Sequence, residues 1–195
     1  MSDSDRRYTP GSIEIRSDRA ENGSVGRITG HAAVFDSRSE DLGGFTEFIA
    51  PGAFDQVLEE GADVRWLVNH DPNMLIGRTS SGTLRLSVDD VGLRMDGEVS
   101  DTTAGRDLMA NIKLGNITGA SFQFTVGEDK WASVDGKQER TILRVDSLLD
   151  VGPVAFPAYP GSNVAAASLR SLDAVQHPNL AKYRPIVAAW VAKYL

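Results

Sequence analysis

Two alternating runs constrain the fold of this chain more than any other feature. Leu84-Arg85-Leu86-Ser87-Val88 and Leu93-Arg94-Met95-Asp96-Gly97-Glu98-Val99 place apolar side chains at nearly every second position, with Asp89-Asp90-Val91-Gly92 between them. Period two puts those side chains on one face of a strand. The Asp- and Gly-containing interval is turn chemistry, so the pair reads as a hairpin with one buried face. Related patterns recur along the chain. Ile13 and Ile15 alternate with Glu14 and Arg16; residues 28–35 read as a strand broken by Gly30; residues 64–68, 120–126 and 142–156 complete the set. Two segments carry helical signals instead. Residues 51–58 open on Pro51, which suits a first helical turn. Residues 103–114 place Leu108 and Ile112 four apart, with Gly115 as a C-terminal stop. The expected class is therefore a β-rich α+β fold. Strands this short, punctuated by Gly, Asp and Asn, point to a barrel or a sandwich.

The organisation along the chain follows from where these patterns begin and end. Residues 1–11 are polar, end on Pro10-Gly11, and read as a flexible N-terminal arm. Residues 12–164 form the expected folded domain. Residues 165–195 divide into a small-residue linker around Ala165-Ala166-Ala167-Ser168 and an amphipathic helix. On that helix Ile186, Val187, Trp190, Val191 and Tyr194 share one face.

Composition closes off several functions. The formal net charge is -7 and there is no basic run, so nucleic-acid binding by phosphate neutralisation is not expected. Cysteine is absent, which removes disulfides, thiolate nucleophiles and Cys-ligated zinc. No stretch approaches the roughly 20 apolar residues that span a bilayer. The segment Met1-Ser2-Asp3-Ser4-Asp5-Arg6-Arg7 has no apolar core behind its charges, as a signal peptide would. The expectation is a soluble protein made and used inside a cell, without membrane contact.

Three positions could carry chemistry together. His70 closes the apolar run Leu67-Val68-Asn69-His70-Asp71-Pro72, at a strand end where sites tend to be built. A lone histidine is more often a satisfied core or surface residue, and only further features change that balance. In Gly119-Ala120-Ser121-Phe122-Gln123-Phe124-Thr125-Val126, period two sends Ala120, Phe122, Phe124 and Val126 to the core. Ser121, Gln123 and Thr125 face the other way, to a polar or cleft face. A serine hydroxyl is a weak nucleophile until a base takes its proton. Asp150 interrupts the otherwise apolar Leu148-Leu149-Asp150-Val151-Gly152-Pro153-Val154. A carboxylate in that setting needs a partner. Orienting a histidine would provide one, as would an arginine or a turn. Asp146, four residues earlier on the same side, is the competing acid. His31 and His177 receive no role. The order His70, Ser121, Asp150 differs from the chymotrypsin and subtilisin orders, and the serine lacks the Gly-x-Ser-x-Gly context of α/β-hydrolases.

A longer series of motifs sharpens this. Gly30-His31-Ala32-Ala33-Val34-Phe35-Asp36 is followed by Gly43-Gly44-Phe45-Thr46-Glu47, Pro51-Gly52-Ala53-Phe54, Asn69-His70-Asp71 and Ile76-Gly77-Arg78-Thr79. Gly92-Leu93, Thr118-Gly119-Ala120-Ser121-Phe122-Gln123-Phe124 and Pro153-Val154-Ala155-Phe156-Pro157-Ala158-Tyr159-Pro160 complete it. The ordered series, over about residues 12–162, resembles the HK97-type prohead protease family. The resemblance implies a closed antiparallel β-barrel flanked by a few helices, similar to herpesvirus assemblin. It implies a serine endopeptidase of capsid maturation, acting inside the phage prohead in the host cytoplasm. Its partners would be the major capsid protein, whose scaffolding domain it removes, and the protease itself, by self-cleavage. Homo-oligomers are implied too, since assemblin-like proteases often work as dimers or higher assemblies. No cofactor or metal is implied. The family's histidine matches His70 and its serine Ser121. The family's Glu-Val-Ser step stands here as Asp150-Val151-Gly152, so a shorter acid must reach the histidine. Two rivals remain at this level. One is a non-enzymatic capsid assembly or scaffold component on the same fold, and the other a β-barrel hydrolase of small esters.

Overall fold

In the computed structural model, residues 5–7, 13–16, 23–39, 41–42 and 44–155 are described. Their strands are β1 (Asp5–Arg7), β2 (Ile13–Arg16), β3 (Ser24–Val34), β4 (Phe45–Ile49), β5 (Arg65–Leu67), β6 (Leu75–Arg78), β7 (Leu84–Val88), β8 (Gly92–Ser100), β9 (Gly119–Val134) and β10 (Lys137–Val154). Two helices join them, α1 (Asp55–Glu59) between β4 and β5, and α2 (Thr103–Lys113) between β8 and β9. The Pro157–Pro160 motif, His177 and the 165–195 linker and helix lie outside the described residues.

The strands make two sheets. One runs β2-β3-β8-β7; the other runs β1-β9-β10-β5-β6, with β4 also paired to β10. The hairpin read from the two alternating runs is β7–β8, with Leu84 opposite Gly97 and Val88 opposite Leu93. Asp89 closes its turn by accepting the N–H groups of Val91 and Gly92, at 2.9 and 3.0 Å. The β-rich α+β reading with few helices stands. Of the expected closed antiparallel barrel, the purely antiparallel pairing does not hold. The ladders among the described residues form two sheets, neither closed into a ring. The larger sheet is mixed: β10 runs parallel to β4 through Gln138–Ile142 and parallel to β5 at Asp150 and Val151. The β9–β10 hairpin causes this, because it turns the chain back into the direction of β4 and β5. Its two-residue turn, Asp135-Gly136, has both φ values positive, at 51° and 77°, as a type I′ turn requires.

One apolar core serves both sheets. Ile28, Leu93 and Met95 from the smaller sheet join Trp66, Phe122 and Phe124 from the larger, all fully buried. Helix α1 adds Val57 to this core, and α2 adds Leu108 and Met109. Phe122 stacks on Phe124 with ring centroids 4.9 Å apart and meets Phe54 edge-on at 5.6 Å. Helix α2 begins where Thr102 accepts the Gly105 N–H at 3.1 Å, and Gly115 follows its end. Helix α1 starts at Asp55, four residues later than Pro51 suggests. Gly52, at φ 86°, first makes a turn in which the Ala53 N–H bonds the Ala50 carbonyl. Within the expected N-terminal arm, Asp5–Arg7 pairs antiparallel with β9.

Candidate active site

The site is assembled where β5 ends beside β9 and β10. Strand β10 lies between β9 and β5 at this point, with Asp150 opposite Gln123 on one side and Arg65 on the other. Ser121 lies opposite Gly152. Asp150 and Gly152 are two apart, as are Ser121 and Gln123, so all four belong to one face of the sheet.

After Leu67 the chain leaves the sheet in a tight turn that presents His70. The Asp71 N–H bonds the Val68 carbonyl at 3.1 Å, and the Met74 N–H bonds the Asp71 carbonyl at 2.9 Å. Asn69 and His70 are both left-handed, at φ 54° and 56°. Asparagine tolerates that region. A histidine there is strained, by about 1–3 kcal/mol, and must be held by its surroundings. Asn69 does the holding from both ends. Its N–H donates to the Pro153 carbonyl at 2.9 Å, and its side-chain Oδ1 accepts the Ala155 N–H at 2.9 Å. The turn is thereby stitched to the end of β10, at Pro153 and Ala155, three and five residues beyond the acid.

The turn brings His70 between the other two residues. Its Nε2 lies 2.5 Å from Ser121 Oγ. Its Nδ1 makes a short hydrogen bond with Asp150 Oδ1. The acceptor-only carboxylate fixes the tautomer: Nδ1–H donates to Asp150, and the Nε2 lone pair accepts the Ser121 hydroxyl. Burial is deep, with Ser121 0%, Asp150 4% and His70 5% exposed. The sequence pattern places Ser121 on a polar or cleft face; the structure buries it completely. Asp146, the competing acid, is turned outward and pairs with Arg144 at 3.2 Å. His31 is elsewhere, with Nε2 2.9 Å from both carboxylate oxygens of Asp89. Among the described residues no group of three or more His, Asp or Glu could hold a metal ion.

Sequence reasoning did not single out Asn69 as a support for this site. Its one signal was the residue type, since asparagine is the non-glycine residue that best accepts a left-handed backbone next to a functional side chain.

Comparison with known proteins bears on the family and the fold. A family model described as caudovirus prohead serine protease matches residues 11–178. The structure of the bacteriophage T4 capsid assembly protease superposes with a TM-score of 0.50 at 14% sequence identity. The match covers 79% of this chain and 98% of that one. At that identity the likeness is one of fold. No curated protein matches the sequence.

Proposed function

We propose, from the premise that this chain belongs to the caudovirus prohead serine protease family, that it is an endopeptidase whose nucleophile is Ser121. The observation that carries the proposal is the continuous chain from Ser121 Oγ through His70 to Asp150, joined at both imidazole nitrogens.

In this reading His70 Nε2 takes the Ser121 proton as Oγ attacks a peptide carbonyl. The tetrahedral intermediate then collapses, and the same nitrogen protonates the departing amine. Water repeats the sequence on the acyl-enzyme, and Ser121 regains its proton. Asp150 stays ionised throughout. It holds the tautomer and stabilises the imidazolium that forms between the two proton transfers. Burial strengthens that interaction because little solvent competes with it.

Family membership supports reading the substrates as the scaffolding region of the major capsid protein and the protease itself, cleaved within the prohead. The stretch Ala165-Ala166-Ala167-Ser168 is suited to self-cleavage by composition. Its cutting would separate the 12–164 protease unit from the amphipathic C-terminal segment.

Intact mass followed over time tests the proposal, for the wild type and Ser121→Ala, with and without capsid precursor. Fragments that form in the wild type and vanish in Ser121→Ala support it. A second reading, a non-enzymatic assembly component, draws on one observation: Ser121 is 0% exposed, so no carbonyl reaches Oγ without a rearrangement. Labelling by a fluorophosphonate separates the two, because only an activated serine reacts.

A further inference from the structure

The burial of Ser121 raises the question of how a peptide would approach it. Strand β9 has two edges. From Gly119 to Val126 one edge is taken by β10. The other carries β1, antiparallel, with Asp5 opposite Phe124, Arg6 opposite Gln123 and Arg7 opposite Phe122. A strand in this position ends one residue short of Ser121 in the register. Extended peptides add to sheet edges through main-chain hydrogen bonds, whatever their side chains. Among the described residues this is the edge of the nucleophile's strand that β10 leaves available.

We propose that the β9 edge at Phe122–Phe124 is the seat for the backbone of an extended substrate, and that Asp5–Arg7 occupies it in cis as a resident strand the substrate must displace. The proposal rests on the reading of Ser121 as a protease nucleophile. A ladder of three residues contributes few hydrogen bonds, so it can be exchanged. A covalently tethered strand nevertheless competes at an effective concentration on the order of millimolar. Dilute peptides would lose to it. Substrate held at high local concentration would win, so the N-terminal strand would set a concentration threshold for cleavage.

The test uses the full chain in a Ser121→Ala background, so that bound peptide is not consumed. The probe is a fluorescein-labelled peptide with the sequence of residues 2–14, and its binding is read by anisotropy. Alternate N–H groups of a strand point to the neighbouring strand, so one of Arg6→Pro and Arg7→Pro removes a donor that faces β9. That variant is expected to bind the peptide about tenfold more tightly than the parent, as for a seat vacant about one-tenth of the time. Equal affinity in all three proteins, each with an unchanged circular dichroism spectrum, overturns the proposal. Fluorophosphonate labelling of the same variants with Ser121 restored is read separately. Faster labelling in the variant that binds more tightly, slowed again by added peptide, supports a seat that leads to the nucleophile. Labelling absent from every protein, with the affinity difference intact, would remove the protease reading and the substrate role with it. It would leave a strand-exchange site, and so differs from failure of the seat itself.

Discussion

Gly152 lies directly against the backbone of Leu67: a Cβ on Gly152 would sit 1.8 Å from the Leu67 carbonyl oxygen and 2.8 Å from its carbon. Those two residues set the distance between β10, which carries Asp150, and the strand that delivers His70. The atom in the way is backbone and cannot swing aside. Gly152→Ala must therefore push β5 outward and carry the His70 turn with it. The expected outcome is a destabilisation of about 1–3 kcal/mol or more, as for overpacked interiors, and loss of most activity. Thermal unfolding and peptidase assays on the same preparation check it. A Gly152→Ala protein with wild-type activity would separate the close approach from the chemistry.

The acid is tested by comparing two carboxylates four residues apart. Asp150 contacts His70 from a buried position, whereas Asp146 is exposed on Arg144. Asp150→Asn keeps the shape but removes the charge that orients the imidazole and stabilises its protonated form. A loss of kcat on the order of 10⁴ is expected, by analogy with the corresponding change in serine proteases. Asp146→Asn should leave kcat within about twofold, as exposed ion pairs contribute little. Steady-state kinetics on a cleavable capsid-derived peptide decide between them, and the reverse ranking would move the third role to Asp146.

Asn69 makes a graded prediction. It contributes a left-handed backbone, a main-chain donor to Pro153 and a side-chain acceptor for the Ala155 N–H. Asn69→Asp keeps the acceptor and a tolerable φ, Asn69→Gly keeps only the φ, and Asn69→Ala keeps neither. The expected order of kcat is Asn, Asp, Gly, Ala. Each lost feature is worth about 1 kcal/mol, from the hydrogen bond in one step and the backbone in the other. KM should move less than kcat, since the residue holds His70 and need not touch substrate. An alanine variant as active as glycine would show that the backbone conformation does not matter.

How much of this was readable from sequence depends on where each signal comes from. The β7–β8 hairpin and α2 declare themselves, because one buried face forces a period and the ends carry turn and cap residues. Asp150 stands out because a carboxylate in an apolar run needs a partner, and Ser121 because its neighbours on both sides face the core. The outer part of the β9–β10 hairpin does not show this way. From Glu128 to Val134 it is largely exposed on both faces, so burial imposes no alternation on it. Strands β4 and β6 are also missed, being only five and four residues long; β4 pairs with β10, far along the chain, and β6 with its neighbour β5. The left-handed pair Asn69-His70 leaves no periodic trace at all. Parallel pairing of β10 with β4 and then β5 is a property of the chain path, and no local pattern encodes it.

The acid limb of stability has a defined sign. Two hydrogen bonds from Arg27, at 2.6 and 2.7 Å, hold the Asp96 carboxyl below its ordinary range against the opposing effect of burial, with Arg94 and Arg85 nearby. Burial pushes Asp89 up, but the hydrogen bond to His31 and the Val91 and Gly92 N–H groups outweigh it, and its carboxyl is also lowered. Asp63 is held low by hydrogen bonds from Arg78 and Ser80. A lowered carboxyl binds fewer protons in the folded chain than in the unfolded one. The stability it contributes is therefore complete above the unfolded value of about 3.9 and disappears as pH falls through the folded value. Tm should be insensitive to these groups between neutral pH and about 5, then fall steeply below about 4. Asp96→Asn should lower the plateau and flatten that fall, because a group that no longer titrates cannot contribute to the slope. Thermal unfolding of both proteins across that range measures it, and an equally steep fall in Asp96→Asn would assign the acid sensitivity to other carboxylates.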